Sequence, residues 1–159
     1  MFRGESSIVI DDKGRLAIPK GYRDPLIERW GEPVGLTLTI GLTPDIEHHR
    51  WLVAYPAAEW DAYENKLNQV GPFDWEARKV AEMLIGHAND VELDRQGRFV
   101  IPPSLREFAN LGARAKIVGQ GREFALWDEK KRDKWREDSI ASMGQILSNP
   151  SPGLLSISR

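Results

Sequence analysis

Apolar and polar residues alternate on both sides of Gly14, in "SIVID" (7–11) and "RLAIP" (15–19), and again on both sides of Gly97, in "DVELD" (90–94) and "RFVIP" (98–102). A period of two with a turn residue between the arms predicts a β-hairpin at each place. The glycines stand where such turns need positive φ, which costs glycine nothing because it has no Cβ. Pro19 and Pro102 end the second arms, since proline has no N–H to give to a ladder and its fixed φ suits a helix entry. A short helix is predicted after each, in "YRDPLIERW" (22–30), made less regular by Pro25, and in "SLREFANL" (104–111). Two strands are predicted next in each half: "GLTLTIG" and "RWLVAYP", then "AKIVGQ" and "EFALWD".

Between the halves the period changes to that of a helix. In "AAEWDAYENKLNQV" Trp60, Tyr63, Leu67 and Val70 share a face, and after the Gly71-Pro72 break so do Ala77, Val80, Ala81, Leu84 and Ala88 of "WEARKVAEMLIGHA". A last helix is predicted from an N-cap near Asp128 through "EKKRDKWREDSIASMGQIL", a mixed-sign run that reads as a solvated face. The Ser/Pro-rich "SNPSPGLLSISR" is expected to be a mobile tail.

The two predicted hairpins are copies. A constant offset of 83 (97 − 14) carries Asp11 onto Asp94, Gly14 onto Gly97, Arg15 onto Arg98, Ile18 onto Ile101, Pro19 onto Pro102 and Arg23 onto Arg106. Each half has only about 50 residues, too few for a core of its own, so the two are expected to pack as one pseudo-symmetric unit.

Composition narrows the chemistry. At 159 residues and 41% hydrophobic, the chain is long enough for one domain or two small ones. It has no long apolar run and no signal-peptide pattern at its start, so a cytoplasmic location and no membrane partner are expected. With no cysteine it has neither disulfides nor thiolate metal sites. A net charge of −2 means that a nucleic-acid role has to rest on a local patch. No nucleophile elbow, P-loop, dinucleotide fingerprint or catalytic carboxylate pair is present, so no enzyme activity, small-molecule substrate or cofactor is expected. His48 and His49, beside Asp45 and Glu47, are adjacent on what reads as an extended connector, where they would face opposite ways and chelate poorly; no metal site is expected. His87 is read as a helix-end residue, and Trp60, Trp75, Trp127 and Trp135 as core or subunit interface.

The candidate chemistry lies in the turns. Arginine presents a planar fork of donors that matches the O6/N7 edge of guanine or two phosphate oxygens. Arg15 and Arg98 are the candidate DNA contacts, flanked by Arg3, Lys13 and Lys20 in the first half and by Arg95 and Gln96 in the second. Asp11 and Asp94, four residues before each arginine, are candidates to orient it by a charge-assisted hydrogen bond. The alternative is structural, with the aspartate capping turn amides and the arginine lying on a neighbouring strand. Gly14, Gly97, Pro19 and Pro102 are read as backbone devices.

"MFRGE", the paired "DxKGR…IP…R" and "DxxGR…IP…LR" motifs, "YPAAEWD", "LIGHANDVELD" and "VGQGREFALWD" closely resemble the MraZ family, to about Trp135. The "TPDIEHHR" connector, Pro25 and the "SPGLLSISR" tail depart from its pattern. The resemblance implies an α+β fold of two tandem AbrB/SpoVT-like swapped-hairpin β-barrel halves packed as a pseudo-dimer with flanking helices. The expected segments are 5–58 and 88–131 for the two halves, 59–87 for a helical connector and 132–159 for a C-terminal helix and tail. It further implies a nucleoid-associated regulator, a repressor of the division and cell-wall gene cluster including its own gene. Such a protein forms a ring-like homo-oligomer that binds tandem operator repeats in double-stranded DNA. A rival from the same fold class is an antitoxin-like DNA-binding module with a protein partner.

Overall fold

A computed structural model of the chain describes residues 1–157. It is mixed α+β, in two units that divide after Glu129. The first holds a six-stranded antiparallel sheet, a two-stranded ribbon and four helices.

In chain order the elements are β1 (Glu5–Val9), β2 (Arg15–Ala17), α1 (Lys20–Trp30), β3 (Gly35–Ile40), β4 (Leu52–Pro56), α2 (Ala57–Leu67) and α3 (Trp75–Gly86). Then follow β5 (Asn89–Glu92), β6 (Arg98–Val100), α4 (Pro103–Phe108), β7 (Arg114–Gly119) and β8 (Phe124–Asp128). The second unit carries α5 (Glu129–Ser148), which begins at the division, and α6 (Pro152–Ile157). The tail thus forms a helical turn, with Leu154 N–H donating to the Ser151 hydroxyl at 3.1 Å, where a mobile segment was expected; Ser158 and Arg159 lie outside the described residues.

The sheet order is β1-β7-β8-β4-β3-β5. Exchanging the halves (β1 for β5, β3 for β7, β4 for β8) reverses that order onto itself. The sheet is open, with β1 and β5 at its edges, so the barrel expected for each half is not formed. The predicted hairpins are also corrected: turns stand at Gly14 and Gly97, but their arms part. β1 pairs with β7, β5 with β3, and the two short second arms, β2 and β6, pair with each other. The reason lies in burial. Ile8 and Ile10 before the first turn and Leu16 and Ile18 after it are all buried, as are Leu93, Phe99 and Ile101 around the second. With both arms apolar on one side, each finds more cover against the other half than against its own mate.

One apolar cluster draws on both halves, from Ile10, Leu26, Leu38 and Leu52 to Leu105, Ile117 and Leu126. Tyr22 of α1 stacks on Phe2 with ring centres 5.6 Å apart, and Phe124 meets both edge-on. The Tyr22 hydroxyl donates to the Gly4 carbonyl at 2.8 Å, tying the start of the chain to α1. Trp127 and Trp60 are buried as expected, whereas Trp75, at the first position of α3 behind the Asp74 N-cap, is 73% exposed. In the second unit α5 buries no residue. Among the described residues no helix is long and apolar enough to cross a membrane.

Candidate nucleic-acid interface

Each turn is organised by its aspartate. The Asp11 carbonyl accepts from Gly14 N–H and its own N–H donates to the Arg15 carbonyl, both at 3.0 Å. Its Oδ1 accepts the amides of Lys13 and Arg15 at 2.9 Å, and its Oδ2 accepts Arg15 Nε at 2.8 Å. Asp94 repeats every bond, to Gly97, Gln96 and Arg98, with the Nε contact at 3.0 Å. The glycines take φ of +78° and +77°, where a side chain would be strained. Both carboxyl groups lie below the ordinary 3.8, above all because the amide N–H of the arginine four residues on binds the ionised form, with the guanidinium adding to it. Each carboxylate thus accepts two turn amides and one arginine Nε at once.

The hold leaves part of each guanidinium outside the clamp. Each aspartate engages only Nε, so the two terminal nitrogens of Arg15 have no partner among the described residues. Arg98 differs, since its Nη2 also donates to Gln96 Oε1 at 3.0 Å.

The β2–β6 register sets Arg15 opposite Val100, Leu16 opposite Phe99 and Ala17 opposite Arg98. Leu16 and Phe99 are buried, so alternation puts Arg15, Ala17, Arg98 and Val100 together on the outer face. The arginines are diagonal neighbours there, a spacing of about 7–8 Å. A two-stranded ribbon is narrow enough for the roughly 12 Å major groove. Turns 83 residues apart in the sequence thus contribute to one patch.

A family model described as "MraZ protein, putative antitoxin-like" matches residues 1–82 and 84–145. The chain belongs to the MraZ family. It is 39% identical to the protein named "Transcriptional regulator MraZ" of Thioalkalivibrio sulfidiphilus over 157 residues, covering 95% of this chain and 99% of that one. Similarity to the proteins of the same name from Coxiella burnetii (44% over 141 residues, 89% of this chain and 88% of that one) and Pseudomonas aeruginosa (42% over 145 residues, 91% of each) is of the same order.

In this MraZ chain the remaining candidates spread out. Lys13 and Gln96 occupy equivalent turn positions beside the arginines. Arg95, next to Gln96, lines a cavity of about 500 Å³ with Arg23, Glu92 and Asp94. Lys20 opens α1 and sits 4.0 Å from Asp24. Arg3 lies beyond the far end of β1 from the turn, its carbonyl accepting weakly from Tyr22 at 3.2 Å. Pro19 and Pro102 stand at the N-caps of α1 and α4.

Two further residues hold the patch in place. Arg106 donates from Nη1 to the Asp11 carbonyl and from Nε to the Leu111 carbonyl, both at 3.2 Å. Arg23 reaches the Gln96 carbonyl at 3.4 Å and runs under Gly97, where an added Cβ would come within 3.0 Å of its Cδ. Each arginine therefore braces the turn of the other half, alongside the reciprocal backbone bonds Ile18 N–H to Gly97 at 3.0 Å and Ile101 N–H to Gly14 at 2.9 Å. Sequence reasoning saw this pair only as an identity in the 83-residue frame.

The histidines stay outside the patch. His48 and His49 occupy a turn rather than an extended segment, and both face Asp45, at 3.9 and 3.4 Å. Among the described residues no cluster of three or more potential ligands forms a metal site. His87 caps α3, with Nδ1 2.7 Å from the Met83 carbonyl.

Proposed function

We propose that this chain is a sequence-specific transcriptional regulator that binds double-stranded DNA through the outer face of its β2–β6 ribbon. The observation that carries this is the placement of Arg15 and Arg98 on one exposed face, each gripped at Nε by its own aspartate. Fixing the guanidinium beforehand removes rotamer entropy that binding would otherwise cost. Arg15, with both terminal nitrogens available, reads a base edge; Lys13, Lys20 and Arg95 neutralise phosphates, and Gln96 positions Arg98. The names of the relatives support regulation of transcription, and membership of the family supports the finer reading. In that reading a cytoplasmic, nucleoid-associated, ring-like homo-oligomer represses the division and cell-wall gene cluster, its own gene included, by engaging tandem upstream repeats. The exchange of strand partners between halves 5–58 and 88–131 supports the swapped-hairpin ancestry of the fold. One ribbon offers few positive groups, so affinity is modest per protomer and grows with the number of repeats engaged.

The test is fluorescence-anisotropy titration against duplexes from the region upstream of the gene, with scrambled repeats as competitors, at two salt concentrations. Tight, salt-sensitive binding that needs the repeats is expected; equal binding to scrambled DNA would remove the sequence specificity, and no binding at either salt would remove the DNA role.

A second reading, an antitoxin-like module with a protein partner, is favoured by one observation. The second unit exposes Ile140, Met143, Ile146 and Leu147 on α5 and Leu155 and Ile157 on α6. A toxin-like protein co-purifying in stoichiometric amount, and lost on deleting residues 149–159, would support it.

A further inference from the structure

The outer face of the ribbon is almost a copy of itself. Under the 83-residue offset Arg15 maps onto Arg98, and Ala17 maps onto Val100. The charged pair is matched and the apolar pair is not. Val100 is 48% exposed, lies directly across from Arg15 in the antiparallel register, and stands two residues from Arg98 on the same strand. A branched apolar side chain therefore stands beside both arginine positions, on the face that points away from the core.

In the major groove the base edges present donors, acceptors and a single kind of apolar group, the 5-methyl of thymine. Building on the DNA-binding role proposed above, we propose that Val100 contacts a thymine methyl beside the base pair that Arg15 reads, and that this contact gives each protomer a direction on its site. A ribbon with identical halves would dock equally well in either orientation, whereas a tandem repeat has a direction. Ala17 ends at Cβ and cannot reach as far as the two γ-methyls of Val100. The turns differ as well, Asp12 and Lys13 against Arg95 and Gln96, but their charges act on phosphates, which carry no sequence information. Lysine is a mobile point charge, and the Gln96 oxygen already accepts from Arg98.

Deoxyuridine in place of thymine removes the methyl and keeps every hydrogen-bonding edge. Wild type, Val100→Ala and Val100→Thr would be titrated against repeat duplexes with each thymine replaced in turn. At one position per repeat the wild type is expected to lose about fourfold in affinity, the value of one buried methyl. Val100→Ala is expected to lose nothing further there, and Val100→Thr, which keeps the branched shape and one methyl, to fall between. All other positions should affect the three proteins alike. Binding by the wild type with no deoxyuridine position that separates it from Val100→Ala would overturn the methyl contact while leaving the DNA role intact. Failure of the wild type to bind any duplex would overturn both. A changed oligomer size in both variants would place Val100 in a subunit contact and overturn the inference as well.

Discussion

Around Asp11 and around Asp94 the same five hydrogen bonds recur, and the largest difference among them is 2.8 against 3.0 Å at the arginine Nε. What surrounds the two turns is unequal. Arg106 braces the first through the Asp11 carbonyl and is itself anchored on the Leu111 carbonyl of its own half. Arg23 braces the second through one longer bond and also lies 3.5 Å from Asp24. The first turn carries an arginine with both terminal nitrogens available, whereas the second carries one already tied to Gln96. Duplication has kept the local chemistry of the loop and let its support and its reach diverge: the better-braced turn presents the less-engaged arginine.

The strongest way to break this comparison is to remove the arginines one at a time. Arg15→Ala should weaken operator binding by about 10- to 100-fold, the range of a bidentate base contact, with melting temperature and assembly size unchanged. Arg98→Ala should cost less, under about tenfold. The reverse order would show that the second turn is the reader. Next in size are the braces, tested by thermal melting. Arg106→Ala removes charged hydrogen bonds from part-buried carbonyls and should cost about 1.5–3 kcal/mol of stability. Arg23→Ala should cost less than about 1 kcal/mol, because its bond is long and exposed. Equal losses would mean that the two turns are supported alike.

Smaller effects sharpen the picture. Gln96→Lys makes the second turn resemble the first: it releases Arg98 Nη2 and adds a cation. Affinity at low salt should rise a few-fold, the salt slope should steepen by about 0.9, and Arg98→Ala should then cost more than it does in the native background. The smallest expected effect is that of pH. The folded-state pKa values of Asp11 and Asp94 lie below 3.8, so their stabilisation is complete above that value and is lost only as pH falls through the lower, folded one. The amide resonances of Arg15 and Arg98 should therefore stay fixed from pH 8 to 5 and move only in strong acid. A midpoint above 3.8 for either would show that its clamp is not formed.

Alternation of apolar and polar residues located the strands and the two turns, because it reports which side of a strand is buried. It carries no information on which strand lies alongside, so the partners of β1, β2, β5 and β6 were missed. The three-residue β2 and β6, each with an apolar residue between two exposed ones, pair across the halves and put both arginines on one face. The aspartate–arginine clamp was legible because it closes within five residues. Arg23 and Arg106 were not, since each acts on a turn that is more than 70 residues away in the chain. Trp75 is the first residue of α3, behind the Asp74 cap and ahead of the part that packs, so it is not part of the core within the chain.

The β2–β6 ribbon also sets when the protein acquires its outer face during synthesis. Arg15 pairs with Val100, 85 positions later (100 − 15), so the pairing closes a long loop and belongs among the late steps of folding. At the usual elongation rates, on the order of ten seconds separate the appearance of the two strands from the ribosome. Until then β2 is an unpaired edge, yet at three residues, opened by a charged side chain and closed two residues on by Pro19, it offers little for a stray strand to copy. A nascent first half therefore waits without a finished ribbon, and the protein gains that face only after its second copy of the motif has been made.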